Sequence, residues 1–178
     1  MSAGKFVTLL AIICFAVISF SGASAMPAIS NPMVCGHRES RWISYVENLK
    51  DSGDLNVVWE TLGREKLPQK FVWLMLVESG GKRDACSIKG ASGLWQLTEQ
   101  IATHYGCFDR SDAESSTTAA ARYLRKLLRD FGGDEWSAIV GYNMGGTNYR
   151  NVGKPTGEAE ILANTVTCLM DYYGEELP

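Results

Sequence analysis

The stretch that decides the fold is Phe71-Val72-Trp73-Leu74-Met75-Leu76-Val77-Glu78-Ser79-Gly80-Gly81. Its run of apolar residues leaves no polar face, and a helix of that kind is buried on most of its sides. Pro68 stands just upstream and can open the helix, because the first turn has no use for the N–H that proline lacks. Ser79-Gly80-Gly81 supplies stop residues. Glu78 therefore sits at the end of a buried helix. It can be a helix-end carboxylate that reaches solvent, or a working acid. Apolar neighbours raise a carboxyl pKa, and the partial negative charge of a helix C-terminus pushes the same way. A carboxyl group still protonated near neutral pH is a proton donor.

Helical periodicity continues on both sides of this core helix. Trp42, Tyr45, Val46 and Leu49 predict a helix from about Glu39 to Lys50, broken by Asp51-Ser52-Gly53-Asp54. Leu55, Val58, Trp59 and Leu62 make another apolar face that ends near Gly63. On the C-terminal side, Lys82 to Ser92 reads as a loop and is the place for any small sheet. Gly93-Leu94-Trp95-Gln96-Leu97 then predicts the start of a helix to about His104. Ser111 with Glu114 has the spacing of a capping box, and Ser115 to Thr118 offers a competing start. The helix that follows carries Leu124, Leu127, Leu128 and Phe131 on one face. Arg122, Arg125, Lys126 and Arg129 occupy much of the rest and read most simply as a solvated surface. Asp134 can cap a short helix holding Trp136, Ile139, Val140 and Tyr142. Gly145-Gly146 predicts a turn, and a last helix runs from Glu158 to about Tyr173. The fold class is mainly α: a single compact helical domain over 38–178, with at most a small β-hairpin or sheet.

Of the 178 residues, 46% are hydrophobic and 21% charged, which is enough apolar material for one globular domain and too much for a disordered chain. The net charge of −3, the pI near 5.4 and the lack of a basic run exclude a nucleic-acid partner. Lys5 followed by an apolar run from Phe6 to Phe20 and then Ala23-Ser24-Ala25 reads as an export signal over residues 1–25, cleaved after Ala25. An uncleaved anchor is the alternative. Cys14 belongs to that segment. Residues 26–37, with two prolines and little pattern, predict an extended leader. The expected location is periplasmic or secreted.

Four cysteines remain, Cys35, Cys86, Cys107 and Cys168. An even number in an exported chain points to two disulfides out of three possible pairings. The preferred pairing is Cys86–Cys107 within the middle of the domain and Cys35–Cys168 tying its ends. A metal centre is a weak reading, because there is no Cys-x-x-Cys and the only histidines are His37 and His104.

Three segments carry a family resemblance: Glu78-Ser79, then Gly90-Ala91-Ser92-Gly93-Leu94-Trp95-Gln96-Leu97, then Gly141-Tyr142-Asn143-Met144-Gly145. In order and spacing they resemble the lytic transglycosylase domain, across roughly Leu67 to Arg150. Leu94-Trp95-Gln96, Ser116-Thr117-Thr118-Ala119-Ala120 and Phe131-Gly132-Gly133-Asp134 are similar to the membrane-bound lytic transglycosylase D branch in particular. The resemblance implies an α+β, lysozyme-like fold and an enzyme acting on bacterial peptidoglycan without a cofactor. It implies that Glu78 is the single catalytic acid/base and that Ser79 helps place it. Ser87 would contact the sugar, Gln96 would line the groove, and Tyr142 with Asn143 would meet the glutamate or the substrate. The blander roles are helix caps and packing.

Three departures stand out. Trp95 occupies a position where many relatives have methionine, although the D branch shares the tryptophan; Gly141 replaces the usual alanine; and Met144 sits before Gly145. The lipid anchor and repeated wall-binding modules of the D branch have no counterpart here, so a nearly bare catalytic domain is expected. Near Glu78 the motif supplies no obvious second carboxylate, and Asp84 is the nearest in sequence. Two alternatives remain open. One is a hydrolytic muramidase resembling goose-type lysozymes; the other is a non-catalytic peptidoglycan-binding assembly protein. Glycan strands are the expected partner, and a secretion or conjugation machine is a further one.

Overall fold

The described residues form eight α-helices, one of them the apolar segment 72–79. The computed structural model describes residues 33–178, which lie in one unit. The export segment expected over 1–25 and the leader up to residue 32 lie outside the described residues. The helices are α1 (Glu39–Asp51), α2 (Asp54–Arg64), α3 (Val72–Ser79) and α4 (Glu99–His104), then α5 (Ala113–Asp130), α6 (Glu135–Met144), α7 (Gly146–Val152) and α8 (Gly157–Tyr173). The mainly α class is as expected.

Helix α3 is central. Every residue from Val72 to Leu76 is buried, as an all-round apolar helix requires. It follows a single 3-10 turn, Gln69–Phe71, that Pro68 precedes. Helices α1 and α8 pack against α3, and α6 packs between α5 and α8, with α2 against α5. The end of α3 is fixed from α1. Gly80 takes a left-handed conformation and returns its N–H to Leu76, while Asn48 donates its side-chain amide to the Gly80 carbonyl at 2.9 Å. Gly81 follows with φ +75°, and a Cβ there would lie 2.4 Å from the Tyr45 carbonyl oxygen. Only glycine lets α3 stop this close to the α1 backbone.

Departures from the sequence reading have local causes. The leader is not wholly extended: Met33–Val34 (β1) and His37–Arg38 (β2) pair antiparallel, with Val34 opposite His37. The intervening Cys35 and Gly36 both have positive φ, as two-residue hairpin turns prefer. The 82–92 loop holds no named strand, only isolated bridges from Ser92 to Cys86 and to Leu97. Residues 93–96 are turns, and α4 begins only at Glu99, with Thr98 as its side-chain cap. Gly93 stands at φ +81°, where a Cβ would lie 2.0 Å from the Arg110 carbonyl oxygen, so this segment is pressed against the 107–112 loop instead of coiling. Asp112, not Ser111, caps α5 by accepting from the Ser115 N–H. Asp134 caps α6 as expected. Gly145 alone separates α6 from α7, a helix the sequence reading leaves out and that Gly146 opens.

The cysteines divide. Cys35 and Cys168 form a disulfide that ties the N-terminal hairpin to α8. Cys86 and Cys107 are thiols, which overturns the second expected bond. Cys86 is exposed on the 82–98 loop. Cys107 is buried, its sulfur 3.2 Å from the Asp109 carbonyl oxygen and 3.6 Å from Ser115 Oγ.

Candidate active site

A cavity opens at the C-terminal end of α3. Glu78 lines it from α3, Ser87 and Gln96 from the 82–98 loop, and Tyr142 and Asn143 from α6. Five of the six residues singled out by the sequence are thus brought together. Ser79 is the sixth and does not line the cavity. Its buried hydroxyl donates to the Met75 carbonyl at 3.0 Å and accepts the Gly81 N–H, closing the helix one residue after Glu78.

Glu78 is mostly covered by its neighbours, and the consequence is electrostatic. Burial pushes its carboxyl group up from the ordinary 4.5 to about 7, and the negative charge of Glu158 adds to the rise. Such a group exists in both proton forms near neutral pH, which suits an acid that later acts as a base. Tyr142 responds in turn. Burial first, then the charge of Glu78, hold its phenol well above its usual range. Its O–H donates to the Trp95 carbonyl at 2.7 Å, so the proton is spent on the loop and the oxygen's lone pairs are what it can offer towards the cavity.

The 82–98 loop is shaped by its own hydrogen bonds. Ser87 and Ala91 close a tight turn, with Ser87 Oγ accepting the Ala91 N–H at 3.0 Å, so the hydroxyl proton is left for a ligand. Gln96 has φ +46°, a left-handed conformation that costs a non-glycine residue about 1 kcal/mol. Its side-chain amide donates to the Ala85 and Gly93 carbonyls at 2.9 Å each, which holds it there. Arg83 forks onto the buried Asp54 of α2, and Arg110 donates to the Gly90 and Leu97 carbonyls.

Trp95 does not face the cavity. It is fully buried, and its indole N–H donates to Thr117 Oγ1 on α5 at 2.8 Å. The departure at Gly141 also has a reason. A Cβ there would lie 2.8 Å from the Phe131 ring and 3.1 Å from Leu127, so glycine lets α6 lie against α5.

Other lining residues escape sequence reasoning. Lys89 and Glu158 form an ion pair at 2.8 Å between the loop and the start of α8, and both line the cavity. Glu158 reads in sequence only as a helix start, and folding alone brings it to Glu78. Asp84, the nearest carboxylate in sequence, is exposed and lines a different depression with Asn48, Asp51 and Arg83. Ile101 and Tyr123 line both this cavity and an adjoining one that holds His104, Tyr105 and Lys126. On the basic face of α5, Arg122 pairs with Glu65, Arg125 donates to the Glu65 carbonyl and Lys126 pairs with Asp130.

The chain has relatives among known proteins. The family model described as "Transglycosylase SLT domain" matches residues 60–164. A protein of Alteromonas sp. (strain M-1) named for tributyltin chloride resistance is 32% identical over 109 residues, covering 58% of this chain and 53% of its own length. The membrane-bound lytic murein transglycosylase D of Escherichia coli (strain K12) is 33% identical over 88 residues, 46% of this chain and 20% of that protein. The membrane-bound lytic murein transglycosylase F of Enterobacter sp. (strain 638) is 36% identical over 92 residues, 46% of this chain and 18% of that protein. The chain spans about half the length of the first relative and about a fifth of the other two. With the matched residues covering more than half of its length and the cavity residues 78, 87, 96, 142 and 143 all inside the match, the chain belongs to the transglycosylase SLT domain family.

Proposed function

We propose that the protein is a peptidoglycan lytic transglycosylase that cleaves the β-1,4 bond between N-acetylmuramic acid and N-acetylglucosamine and leaves a 1,6-anhydromuramoyl end. The observation that carries this reading is the half-buried Glu78 carboxyl, raised to about 7, in a cavity that Ser87, Gln96, Tyr142 and Asn143 also line. Glu78 protonates the bridging oxygen, and the bond from that oxygen to the anomeric carbon breaks. The neighbouring acetamido oxygen stabilises the positive carbon. Glu78, now a carboxylate, takes the proton of the muramic acid 6-hydroxyl, whose oxygen closes the anhydro ring. Glu78 ends protonated as it began, and no water is consumed. The attacking hydroxyl belongs to the substrate, so its effective concentration is high. Ser87 and Asn143 orient the sugar, Gln96 shapes the groove, and Ser79 sets the end of the helix that presents Glu78.

Export supports the same reading. The segment 1–25 has the pattern of a cleaved signal, which would deliver the 38–178 catalytic domain to the periplasm or the medium. Among the described residues no helix is long and apolar enough to cross a membrane. A role in opening the wall for a secretion or conjugation machine fits such an enzyme; intact secretion and conjugation in a deletion strain would remove that role.

One observation favours a second reading. Glu158, not Asp84, is the carboxylate that shares the cavity with Glu78, and hydrolytic glycosidases use two. Its ion pair with Lys89 and its position at the exposed start of α8 fit a binding contact better than a base. Product analysis decides. Purified peptidoglycan is digested with wild type, Glu78→Gln and Glu158→Gln, and the products are weighed. Anhydro-muropeptides from wild type and none from Glu78→Gln are expected. Reducing ends that disappear in Glu158→Gln would establish the hydrolase. Intact wall that retains both wild type and Glu78→Gln would overturn the enzyme.

A further inference from the structure

Glu158 is shared by two cavities. On one side is the cavity of Glu78; on the other is a pocket between the N-terminal hairpin, α1 and α8. Val77, the neighbour of Glu78, lines the second pocket, together with His37, Arg41, Tyr45 and Ile161. The pocket therefore adjoins the cavity of Glu78. Its hairpin and α1 wall lies before residue 60, outside the stretch that matches the family.

This pocket is rigidly built and electrostatically unbalanced. The Cys35–Cys168 disulfide pins the hairpin to α8. Trp42 donates its indole N–H to the Val34 carbonyl at 2.9 Å, and its ring meets those of His37 and Tyr45 edge-on at 5.3 and 5.8 Å. The guanidinium of Arg41 donates to His37 Nδ1 at 3.0 Å, which holds the Arg41 head at the pocket. Among the described residues no carboxylate forms an ion pair with Arg41. The one carboxylate in the lining, Glu158, is taken by Lys89. What remains is a cationic fork over aromatic and aliphatic walls, with Ile161 69% exposed. A guanidinium fork matches a carboxylate, and such walls pack against the apolar parts of a peptide or the face of a sugar.

We infer that the hairpin pocket is a subsite for the stem peptide of N-acetylmuramic acid, with Arg41 as the contact for one of its free carboxylates. The inference rests on the peptidoglycan reading of the groove. Peptide-bearing strands are then the preferred substrate, and strands stripped of their peptides are the poorer one.

The test uses intact peptidoglycan and the same material after an amidase has removed the peptides. Two quantities are measured: kcat/KM on each form, and retention of the Glu78→Gln protein by each insoluble form. The wild type prefers the peptide-bearing form. Arg41→Gln lowers that preference by about tenfold, as loss of a charged hydrogen bond would, and Arg41→Lys restores part of it. The same substitution in the Glu78→Gln background weakens retention on peptide-bearing wall more than on stripped wall. Melting curves for each variant exclude a folding defect, and Arg41 is exposed, so none is expected. An unchanged preference in Arg41→Gln, or equal retention of Glu78→Gln on both forms, overturns the subsite. If the wild type cleaves neither form, the enzyme reading fails, and retention alone still decides whether the pocket recognises peptide.

Discussion

Trp95 donates its indole N–H to Thr117 Oγ1 across 2.8 Å, and the Thr117 hydroxyl passes its own proton to the Ala113 carbonyl at 2.6 Å. Two sequence features that look independent, the tryptophan in the glutamine motif and the Ser116-Thr117-Thr118 segment of α5, are therefore one buried contact. It locks the 82–98 loop to α5, and the backbone of the same tryptophan receives the Tyr142 hydroxyl.

Thr117→Val should cost about 2 kcal/mol, because it strands a buried indole N–H without a partner. Trp95→Met removes the donor as well as the ring. In the double variant the threonine substitution should add little to the cost of Trp95→Met. Urea unfolding of the wild type, both single variants and the double variant gives the coupling; strict additivity would show that the hydrogen bond carries no energy.

Stability should depend on pH through Glu78. Its carboxyl group binds a proton more tightly in the folded protein, near 7, than in the unfolded chain, near 4.5. Between those values the folded state holds more protons, so stability falls as pH rises. The loss is complete above about pH 7 and amounts to about 3 kcal/mol. Glu78→Gln abolishes it. The variant should melt higher than the wild type at pH 8 and no higher at pH 4.

Cleavage should follow the same group. The acid form starts the reaction, so kcat/KM should fall as pH rises through about 7. Glu158 contributes to that position by its charge, second to burial. Glu158→Gln should move the falling limb to lower pH, whatever it does to the maximum. A limb that stays in place would separate Glu158 from the ionisation of Glu78.

Gly141→Ala sets two effects against each other. Alanine favours the helix by about 1 kcal/mol. Its methyl group meets the Phe131 ring and Leu127, and overpacking of that kind costs about 1–3 kcal/mol. A net loss is expected, and Phe131→Leu should reverse it. If Gly141→Ala alone is stabilising, α6 and α5 have room that the packing does not show.

Thiol chemistry checks the cysteine assignment. In the native protein one thiol, Cys86, should react quickly with a disulfide reagent, and Cys107 should react only after unfolding. Two unreactive cysteines would restore the Cys86–Cys107 bond. Reducing Cys35–Cys168, which closes a loop of 133 residues, should lower stability by about 2–5 kcal/mol.

Legibility in the sequence follows the range of the forces involved. Helices α1, α2, α3, α5, α6 and α8 were readable, because the apolar spacing that defines them is local and the buried face is the one observed. Residues 93–97 were not. Leu94, Trp95 and Leu97 are buried as a helix pattern suggests, but Gly93 and the left-handed Gln96 fold them into turns against a distant carbonyl. The hairpin escaped notice because Cys35-Gly36 is an uncommon turn pair. In the site, Glu78, Ser87, Gln96, Tyr142 and Asn143 were legible through motif order. Glu158 and Lys89 were not, since nothing in either local sequence records that the start of α8 returns to the end of α3.

The Cys35–Cys168 bond also determines how the molecule would carry load. Trp73 donates to the Gly174 carbonyl, and the Tyr173 hydroxyl to Glu39, so the tail beyond the bond is held against α3 and α1. A pull applied at residues 33 and 178 runs through two residues of hairpin, the covalent bridge and the last stretch of chain. That covalent path bypasses everything from α1 to most of α8, and only the hydrogen bonds of the tail reach α3 and α1. Tension between those two points would be borne by residues 33–35, the bridge and residues 168–178, with the cavity of Glu78 off the covalent path.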